Sequence, residues 1–447
     1  MGKAIFVISL VFLFISCASV SSYQPLVSSM VSASSYKQAL KTLADDYNIY
    51  GKNNQLLYFL DKGYIEHLDT SYDKSILTLD KAKLKFDELY TESVSKIAAT
   101  WAINDYSAPY RGEDFEQVLI NIFQALNYMM LGNHEDALVE ARDVDSKLQA
   151  INLQYNADQK NVYKEDAFAR LLMGILYEFG HSDEDINNAF ISYVKAAAIY
   201  EHDYAENYGV SIPRVLKENI LSTARVMGLP EFSKFRAKFK EAEFISINDK
   251  AKKSEVYLIQ YNGLAPIKVE QKLAVPMLDG YIVKVAFPAY KPRVYGVASS
   301  RLLARDANGV VFQAATEIAE DIGAIAVKNL DKRKLRFMAK TAVRAGARYA
   351  LEKKQEENIA KKFGDLSASW FRFVSNIYNI VAEQADLRCW QTLPDQIRIT
   401  RLLLPPATYE FTAENFSSSG SHLGQFNLGK FDLEASQTKI FILHTVR

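Results

Sequence analysis

Cysteine and histidine are scarce in this chain. Its 447 residues include only two cysteines, Cys17 and Cys389, and six histidines, no two of which lie three or four positions apart. Paired zinc ligands on one helix need that spacing, so we expect no metal site and no cofactor. No disulfide is expected either, once Cys17 is modified as described below. Cys389 precedes Trp390 and has no histidine near it in sequence, so we interpret it as a small buried apolar side chain rather than a catalytic thiol.

Net charge, long apolar runs and enzyme motifs are also missing. The chain has 53 basic and 53 acidic residues, so its overall charge favours neither nucleic acid nor an acidic substrate, and we expect no nucleic-acid partner. Beyond its first residues it has no apolar run of the ~18 residues that mark a membrane-spanning helix. It lacks the GxSxG, P-loop, GxGxxG and HExxH patterns of common enzyme classes. We therefore expect no enzymatic activity and assign no catalytic residue.

The N-terminus contains the clearest pattern in the chain. Lys3 is followed by an apolar stretch from Ala4 to Phe14, and the small residue Ser16 directly precedes Cys17. This arrangement resembles the signal of bacterial lipoproteins, in which residues 1–16 are cleaved off and Cys17 becomes a lipidated N-terminus. The stretch is too short to span a bilayer, which needs ~20 residues, so a signal peptide is the better interpretation. An ordinary signal peptide with a chance cysteine is the alternative.

Lipidation at Cys17 would determine where the protein works. Two or more acyl chains, such as palmitate, hold a protein stably on a membrane. Ala18 rather than an aspartate follows the cysteine, and by resemblance to lipoprotein sorting in two-membraned bacteria this implies the outer membrane. We expect a lipid-anchored protein of the cell envelope that faces the periplasm or the cell surface. Its expected partners are the membrane, through the acyl anchor, and other envelope proteins.

The mature chain is predicted to start with a tether and a helical domain. Residues 17–35 are rich in Ser and Val, which is typical of a flexible tether. From 36 to 245 apolar residues recur at three- and four-residue spacing, interrupted by glycines and prolines. This pattern predicts a nearly all-helical domain.

The helical domain contains a weak internal repeat. Small and aromatic residues recur in three passes with spacings similar to the tetratricopeptide repeat, in which small residues let two antiparallel helices approach. The turn of the third pass is predicted to be longer, over residues 181–187. An irregular helical bundle with Ala and Gly contacts is the alternative. The passes consist of Gly63, Tyr72, Ser75, Leu79 and Ala82; of Tyr128, Gly132, Ala137 and Ala141; and of Gly174, Tyr177, Ala189, Tyr193 and Ala196.

The C-terminal half has a different periodicity. From residue 254 to 447 apolar residues alternate with polar ones between turn dipeptides, which predicts a β-rich domain. A helical pattern from 313 to 385 interrupts it, and the strands before and after this insertion are expected to form one domain. The expected fold class is therefore α+β: a tetratricopeptide-like all-α array followed by a β-sandwich-like domain with a helical insertion.

The helical insertion contains a basic stripe. Arg336, Lys340, Arg344 and Arg348 follow one another at four-residue steps, which places them on one helix face. Such a stripe can contact anionic lipid headgroups or lipopolysaccharide. More often it is a solvated face whose cations pair with nearby acids.

The most unusual stretch is the loop at residues 104–116. It combines a turn-forming Asn-Asp pair, a proline, two tyrosines, an arginine and three further acids directly before a long apolar helix. These acids either complement the positive N-terminus of that helix or belong to a surface that binds a peptide or glycan. Two charged residues of the next helix are expected to pair with the loop. The candidate interaction residues are Asp105, Tyr110, Arg111, Glu113 and Glu116 in the loop, and Glu140 and Arg142 on that helix.

Several of these pieces carry a resemblance to a family. Together they are similar to an uncharacterised family of bacterial envelope lipoproteins with tetratricopeptide-like helices. The resemblance spans most of the mature chain and implies no catalytic or ligand-binding residue. The matching pieces are Asn104-Asp105, Pro109 to Glu113, Phe115-Glu116, Ala125 to Tyr128, Val139 to Arg142, Tyr261 to Gly263, Ala385 to Arg388, Trp390, Leu393-Pro394, Leu404-Pro405 and Tyr409.

Two functional interpretations fit the sequence. The first is a non-enzymatic docking or assembly scaffold for other envelope proteins, because repeat-like helices build concave surfaces. It includes both transient docking and a permanent place in a multi-protein assembly. The second is a protein that binds or processes peptidoglycan or another envelope glycan. Its acid–base groups would be Asp105, Glu113 and Glu116, beside Tyr110.

Overall fold

The computed structural model describes residues 23–45, 50–91, 108–153, 163–382 and 384–446. The predicted signal peptide, Cys17 and Asp105 lie outside the described residues. Within these ranges helices dominate the N-terminal half and strands form sheets in the C-terminal half, which confirms the α+β prediction. No helix in the same ranges is both long and apolar enough to cross a membrane.

The helical half follows the predicted order of helices and turns. A π-helical turn at Tyr200–Tyr204 joins the helices Asp183–Ile199 and Ala205–Tyr208. The helices are α1 (Tyr23–Ser32), α2 (Tyr36–Asp45), α3 (Gln55–Leu68), α4 (Tyr72–Thr91), α5 (Asp114–Met130), α6 (His134–Leu153), α7 (Ala167–Glu178), α8 (Asp183–Ile199), α9 (Ala205–Tyr208), α10 (Arg214–Met227), α11 (Leu229–Lys238) and α12 (Ile247–Lys250).

The three predicted repeat passes correspond to three helical hairpins, α3–α4, α5–α6 and α7–α8. In the first hairpin a Cβ on Gly63 would lie 2.6 Å from Cδ2 of Leu79, so only glycine permits this approach. In the third, a Cβ on Gly174 would overlap the ring of Tyr193. The predicted long turn of the third hairpin is wrong, because a capping box at Ser182 starts α8 one residue later.

The predicted tether is wrong for the part that the structure describes. Residues 23–32 form α1, whose Val27 and Val31 are fully buried. The hydroxyl of Ser28 donates to the carbonyl of Gln391 at 3.3 Å. A Ser- and Val-rich composition resembles a linker, but here the valines lie four residues apart on one helix face and pack into the core.

The C-terminal half contains two four-stranded sheets and a separate two-stranded sheet. The first sheet has the order β10–β1–β7–β6, the second has the order β5–β4–β8–β9, and β2 pairs with β3. The strands are β1 (Ser254–Asn262), β2 (Ile267–Pro276), β3 (Ile282–Lys291), β4 (Ser299–Asp306), β5 (Val311–Ala315), β6 (Glu317–Asp321), β7 (Gln396–Leu404), β8 (Ala407–Phe416), β9 (His422–Leu433) and β10 (Thr438–Thr445).

The two four-stranded sheets enclose an apolar core. Val256 and Leu258 of β1 belong to it, together with Phe411 of β8 and Phe441 of β10. The rings of Phe411 and Phe441 lie 5.1 Å apart. Since β1 pairs with β7 and β10, and β4 pairs with β8, strands from before and after the insertion share both sheets. The sandwich-like domain is therefore discontinuous in sequence, as predicted.

The other face of the first sheet packs on the helical array. Ile259 of β1 and Ile399 of β7 belong to the same apolar cluster as Leu60 and Phe123 of the hairpins. The ring of Tyr261 lies 5.8 Å from that of Phe123. The array, the first sheet and the second sheet thus form three layers, and the helical and β halves share one core.

The helical insertion begins later than predicted. Residues from 313 onward finish β5 and form β6, and the helices are α13 (Ile322–Phe363) and α14 (Asp365–Ala382). β6 forms because it pairs with β7, where Glu317 lies opposite Ile399. Local periodicity does not show which strand a segment pairs with, so the predicted start of the insertion was wrong. The hairpin β2–β3 packs against α13 outside the sandwich.

Candidate functional site

Glu113, predicted as an interaction residue, lies in a buried junction. Its carboxylate pairs with Lys268 of β2 at 2.5 Å and with Arg333 of α13. Burial by itself raises the pKa of Glu113, but these two cations outweigh burial and lower that pKa to about 2. Glu113 is therefore a fixed anion that joins the start of α5 to β2 and α13, and it is not part of a surface.

Glu116 and Tyr110 are internal as well. The Glu116 carboxylate accepts hydrogen bonds from the Tyr110 hydroxyl at 2.6 Å, from the backbone N–H of Trp390 at 2.7 Å and from that of Glu113 at 3.0 Å. Burial and the neighbouring Glu113 charge raise the pKa of Glu116. These contacts fix the loop against the chain around Trp390. They favour a structural role for this loop over a role as a binding surface.

The other predicted residues do not join the loop. Arg111 is exposed next to buried Tyr110. Glu140 pairs with Lys83 of α4 at 2.5 Å, and Arg142 donates to the Tyr177 hydroxyl of α7 at 2.8 Å. The predicted pairing of α6 with the loop is wrong, because both side chains face the neighbouring helices of the array.

Cys389 is buried, in agreement with its interpretation as an apolar side chain. Burial raises the pKa of its thiol to about 12, although the charge of Lys268 opposes that rise. Across the described ranges, no group of three or more His, Cys, Asp or Glu side chains is placed to hold a metal ion. Of the predicted basic stripe only Arg348 has a described side chain, and it is half-buried.

An open groove of about 340 Å³ lies between the helical array and the edge of the first sheet. Its helical wall comes from the turns of the hairpins α5–α6 and α7–α8. Met129 and Met130 end α5, His134 begins α6, and Phe179 and His181 lie in the next turn. Methionine side chains are flexible and adapt to irregular apolar partners, so this wall suits a ligand with protruding apolar groups.

The hairpin turns hold this wall by local hydrogen bonds. In the first turn the backbone N–H of Asp136 donates to the side chain of Asn133 at 3.3 Å. In the second, the hydroxyl of Ser182 accepts from the N–H of Asp185 at 3.1 Å. The ring of His134 lies 4.6 Å from that of Phe179, which connects the two turns across the groove wall.

The opposite wall is the start of the edge strand β10. Ser436, just before this strand, and Thr438, Lys439 and Ile440 within it line the groove. Ile440 faces the helical array, whereas the ammonium of Lys439 lies 4.2 Å from the ring centre of Phe431, a cation–π contact on the sandwich side of the strand, beside the groove. Among the described residues that line the groove none is acidic, and the lining includes two histidines and one lysine.

A second polar cluster is buried away from the groove. The Tyr204 hydroxyl, in the π-helical turn, lies 2.9 Å from one Glu320 carboxylate oxygen, and the Tyr163 hydroxyl donates to Asp166 at 2.5 Å. Burial, with the charge of Asp145, raises the pKa of Asp166 to about 6. Burial and the charge of Asp166 raise the pKa of Glu320 well above its usual range. Both carboxyl groups are fully enclosed, so this cluster is internal.

The sequence did not indicate the groove. Its two walls come from residues about 300 positions apart, and only the packing of the array on the first sheet brings them together. The turn residues were visible as inter-helix turns, but no local pattern shows which strand edge they face. Comparison of the chain with protein-family models, with curated proteins and with solved structures gives no significant match.

Proposed function

We propose that this protein is a lipid-anchored, non-enzymatic scaffold of the bacterial cell envelope that docks another envelope protein. The feature that supports docking most directly is the groove between the helical array and β10. The proposed occupant is an extended segment of the partner that contains an acidic side chain. The anchor rests separately on the sequence pattern before Cys17.

The position of β10 supports an extended occupant. Among the described strands it pairs only with β1, so its other side is a sheet edge. Alternate backbone N–H and C=O groups of an edge strand point outward and pair readily with a further strand. A strand added beside Thr438 and Ile440 would run along the methionines of the helical wall. Strand addition takes affinity from backbone hydrogen bonds and specificity from side-chain pockets.

The charge of the groove supports an acidic occupant. His134 and His181 lie in the helical wall, Lys439 lies beside the groove on the sandwich side of β10, and no lining residue in the described part of the chain carries a negative charge. Complementary charge speeds association and rejects partners of the wrong sign. An extended segment with one carboxylate near Lys439 therefore fits better than a basic or purely apolar one.

The fixed separation of the two walls also supports docking. Met129 belongs to the core shared by the array and the first sheet, and Ile440 packs against that core. The groove is thus formed before any partner arrives. A preformed site avoids the entropic cost of ordering its own walls on binding.

The glycan interpretation has lost two of its three candidate acids, and the third, Asp105, lies outside the described residues. Glu113 is neutralised by Lys268 and Arg333, and Glu116 is enclosed by Tyr110 and backbone N–H groups. A glycosidase carboxylate pair must face the substrate from both sides of the scissile bond. Carboxylates whose hydrogen-bonding positions are occupied inside the fold do not meet that requirement.

Selection from a random peptide library tests the docking proposal. The library is displayed on phage and selected on the full chain carrying Cys17→Ser, which cannot be acylated. We expect enriched peptides that contain an acidic residue and bind in an extended conformation. The Lys439→Glu substitution should weaken their binding by about tenfold or more, because it puts a negative charge beside the groove.

A matched substitution controls for nonspecific charge effects. Lys430 is exposed on the neighbouring edge strand β9, outside the groove lining, and Lys430→Glu should leave peptide binding unchanged. Met130→Asp, in the helical wall, should weaken binding as Lys439→Glu does. Peptides that bind both groove variants as tightly as the unsubstituted chain would show that this groove is not the docking site.

A further inference from the structure

Helix α14 turns its apolar face outward. Ala368 and Ser375 are buried on its inner face. On the same face Arg372 donates to Glu356 of α13 at 2.9 Å, and Asn376 accepts from the backbone N–H of Ile282 at 3.0 Å. Over residues 365–376, where its side chains are described, the helix is thus attached to the rest of the protein mainly by small and polar side chains, with Phe371 half-buried beside them, unlike an ordinary amphipathic surface helix.

Large apolar side chains occupy the outer face. Leu366, Trp370 and Phe373 follow one another at four- and three-residue steps, which places them on one side of the helix. Phe363, at the end of α13, extends this stripe to the tip of the helical hairpin. Their exposed fractions are 71% for Phe363, 77% for Leu366, 62% for Trp370 and 56% for Phe373. Four large apolar side chains exposed in one stripe mark a surface for interaction with a protein or a membrane.

The helix that leads to this stripe is strongly basic. Between Ile322 and Phe363, α13 contains twelve lysines and arginines against four acidic residues, a net charge of +8 in a chain whose overall charge is zero. Lys361 and Lys362 are exposed directly beside Phe363. The tip therefore combines exposed cations with exposed aromatic side chains.

The hairpin tip lies far from the protein core. The start of α13 is buried in the core through Ile322, Ile325 and Leu330. From Leu330 to Phe363 the helix extends about 50 Å at 1.5 Å per residue. The hairpin α13–α14, with β2–β3 packed on it, therefore forms an arm with the stripe at its tip.

We propose that this arm binds the surface of an anionic lipid bilayer, with the stripe Phe363, Leu366, Trp370 and Phe373 in the interfacial region and the lysines at the headgroups. A helix with Trp, Phe and Leu on one face and cations beside it lies in a bilayer interface in this way. The stripe lies at the tip of a helical hairpin rather than in a groove, so it suits a fluid apolar layer better than a shaped protein surface. The inference does not depend on the docking proposal or on acylation of Cys17.

Vesicle cosedimentation tests the proposal with the full chain carrying Cys17→Ser. The vesicles contain phosphatidylcholine with or without about one third phosphatidylglycerol, and only the anionic ones should bind strongly.

The double variant Trp370→Ser/Phe373→Ser should bind at least about fivefold more weakly, since it loses most of the inserted apolar area. Lys361→Glu/Lys362→Glu should weaken binding to anionic vesicles by about fivefold or more for each lysine. The control Val139→Ser/Leu153→Ser, at exposed apolar positions of α6, should bind like the unsubstituted chain.

Tryptophan quenching by brominated lipids locates the contact. The chain has three tryptophans. Trp390 is buried, and Trp101 is the same in both proteins, so the quenching that is lost in the Trp370→Phe variant reports the stripe alone. We expect quenching in anionic vesicles that falls in this variant. Unchanged quenching in Trp370→Phe, or equal vesicle binding by Trp370→Ser/Phe373→Ser, would overturn the proposal. Self-association of the chain through the stripe, with no difference in vesicle binding between the variants, would also overturn the proposal, because the partner of the stripe would then be protein.

Discussion

The Tyr261 hydroxyl lies 2.8 Å from Nε2 of His67, so a strand of the first sheet is hydrogen-bonded to a helix of the array. His67 Nδ1 lies 2.6 Å from Oδ1 of Asn127, whose amide group in turn donates to Ser75 at 2.9 Å. Because the Asn127 amide N–H donates to Ser75, its oxygen accepts from Nδ1 of His67, which leaves Nε2 to accept from Tyr261. This fully buried chain joins β1 to α3, α5 and α4.

Removal of the Tyr261 hydroxyl should destabilise the whole protein. Tyr261→Phe leaves Nε2 of His67 buried without a donor, which costs about 1–3 kcal/mol. Urea unfolding of the variant and of the unsubstituted chain measures the loss. Tyr177→Phe removes a hydroxyl that bonds Arg142 at the surface and should change stability by less than about 0.5 kcal/mol. Equal losses in the two variants would contradict a special role for the buried chain.

The same histidine should make stability depend on pH. Burial lowers the pKa of His67 from 6.5 to about 4, although its bond to Asn127 opposes this shift. The unfolded state therefore binds more protons than the folded state below pH ~6.5, and the stabilising contribution of His67 is lost as pH falls. The difference in unfolding free energy between the unsubstituted chain and His67→Gln should shrink by about 2 kcal/mol between pH ~7.5 and ~5. A difference that does not change with pH would contradict the buried neutral imidazole.

Glu320 should act in the opposite direction. Burial and the charge of Asp166 raise its pKa well above the usual range, so the folded state binds more protons than the unfolded state and stability is lost as pH rises. Glu320→Gln removes this effect and should raise the melting temperature at pH ~8, with little gain near pH ~4, where both states are protonated. Glu410→Gln, at an exposed position, is the control. A lower melting temperature for Glu320→Gln at pH ~8 would mean that the carboxylate is needed in its charged form.

Adjacent loop residues should respond differently to truncation. Tyr110 is 4% exposed and packs in the core, whereas Arg111 is exposed. Tyr110→Ala should cost about 3 kcal/mol or more, as for other buried aromatic side chains. Arg111→Ala should change stability by less than about 0.5 kcal/mol. Thermal melts of the two variants check both values. Similar small losses of stability in the two variants would contradict the buried position of Tyr110.

Features with a short-range pattern could be predicted from the sequence. The apolar run that stops at Leu404, directly before Pro405, predicts the end of a strand, and β7 (Gln396–Leu404) ends there. The hairpin contact of Gly174 with Tyr193 was visible because small and aromatic residues recur at fixed spacing in each pass. Periodicity reports which side of an element is buried, and within one hairpin that is sufficient.

Features that join distant segments could not be predicted. Glu113 was predicted either to complement the start of a helix or to belong to a binding surface. Its partners Lys268 and Arg333 lie more than 150 residues away and reach it only through the packing of β2 and α13. The groove has the same origin, since Met130 and Thr438 meet only when the sheet edge docks beside the hairpin turns. The sequence does not show whether an acidic residue is solvated at the surface or paired with a buried cation.

Site-specific photo-crosslinking in the producing cells tests the docking claim most directly. A photoreactive phenylalanine analogue replaces Met130 or Thr438 in the groove, and Val139 on an exposed part of α6 as the control. We expect a single crosslinked envelope protein at the two groove positions, attached through an extended acidic segment, and its loss when Lys439→Glu is added. Adducts that form equally at Val139, or a folded protein without adducts at either groove position, would contradict the account.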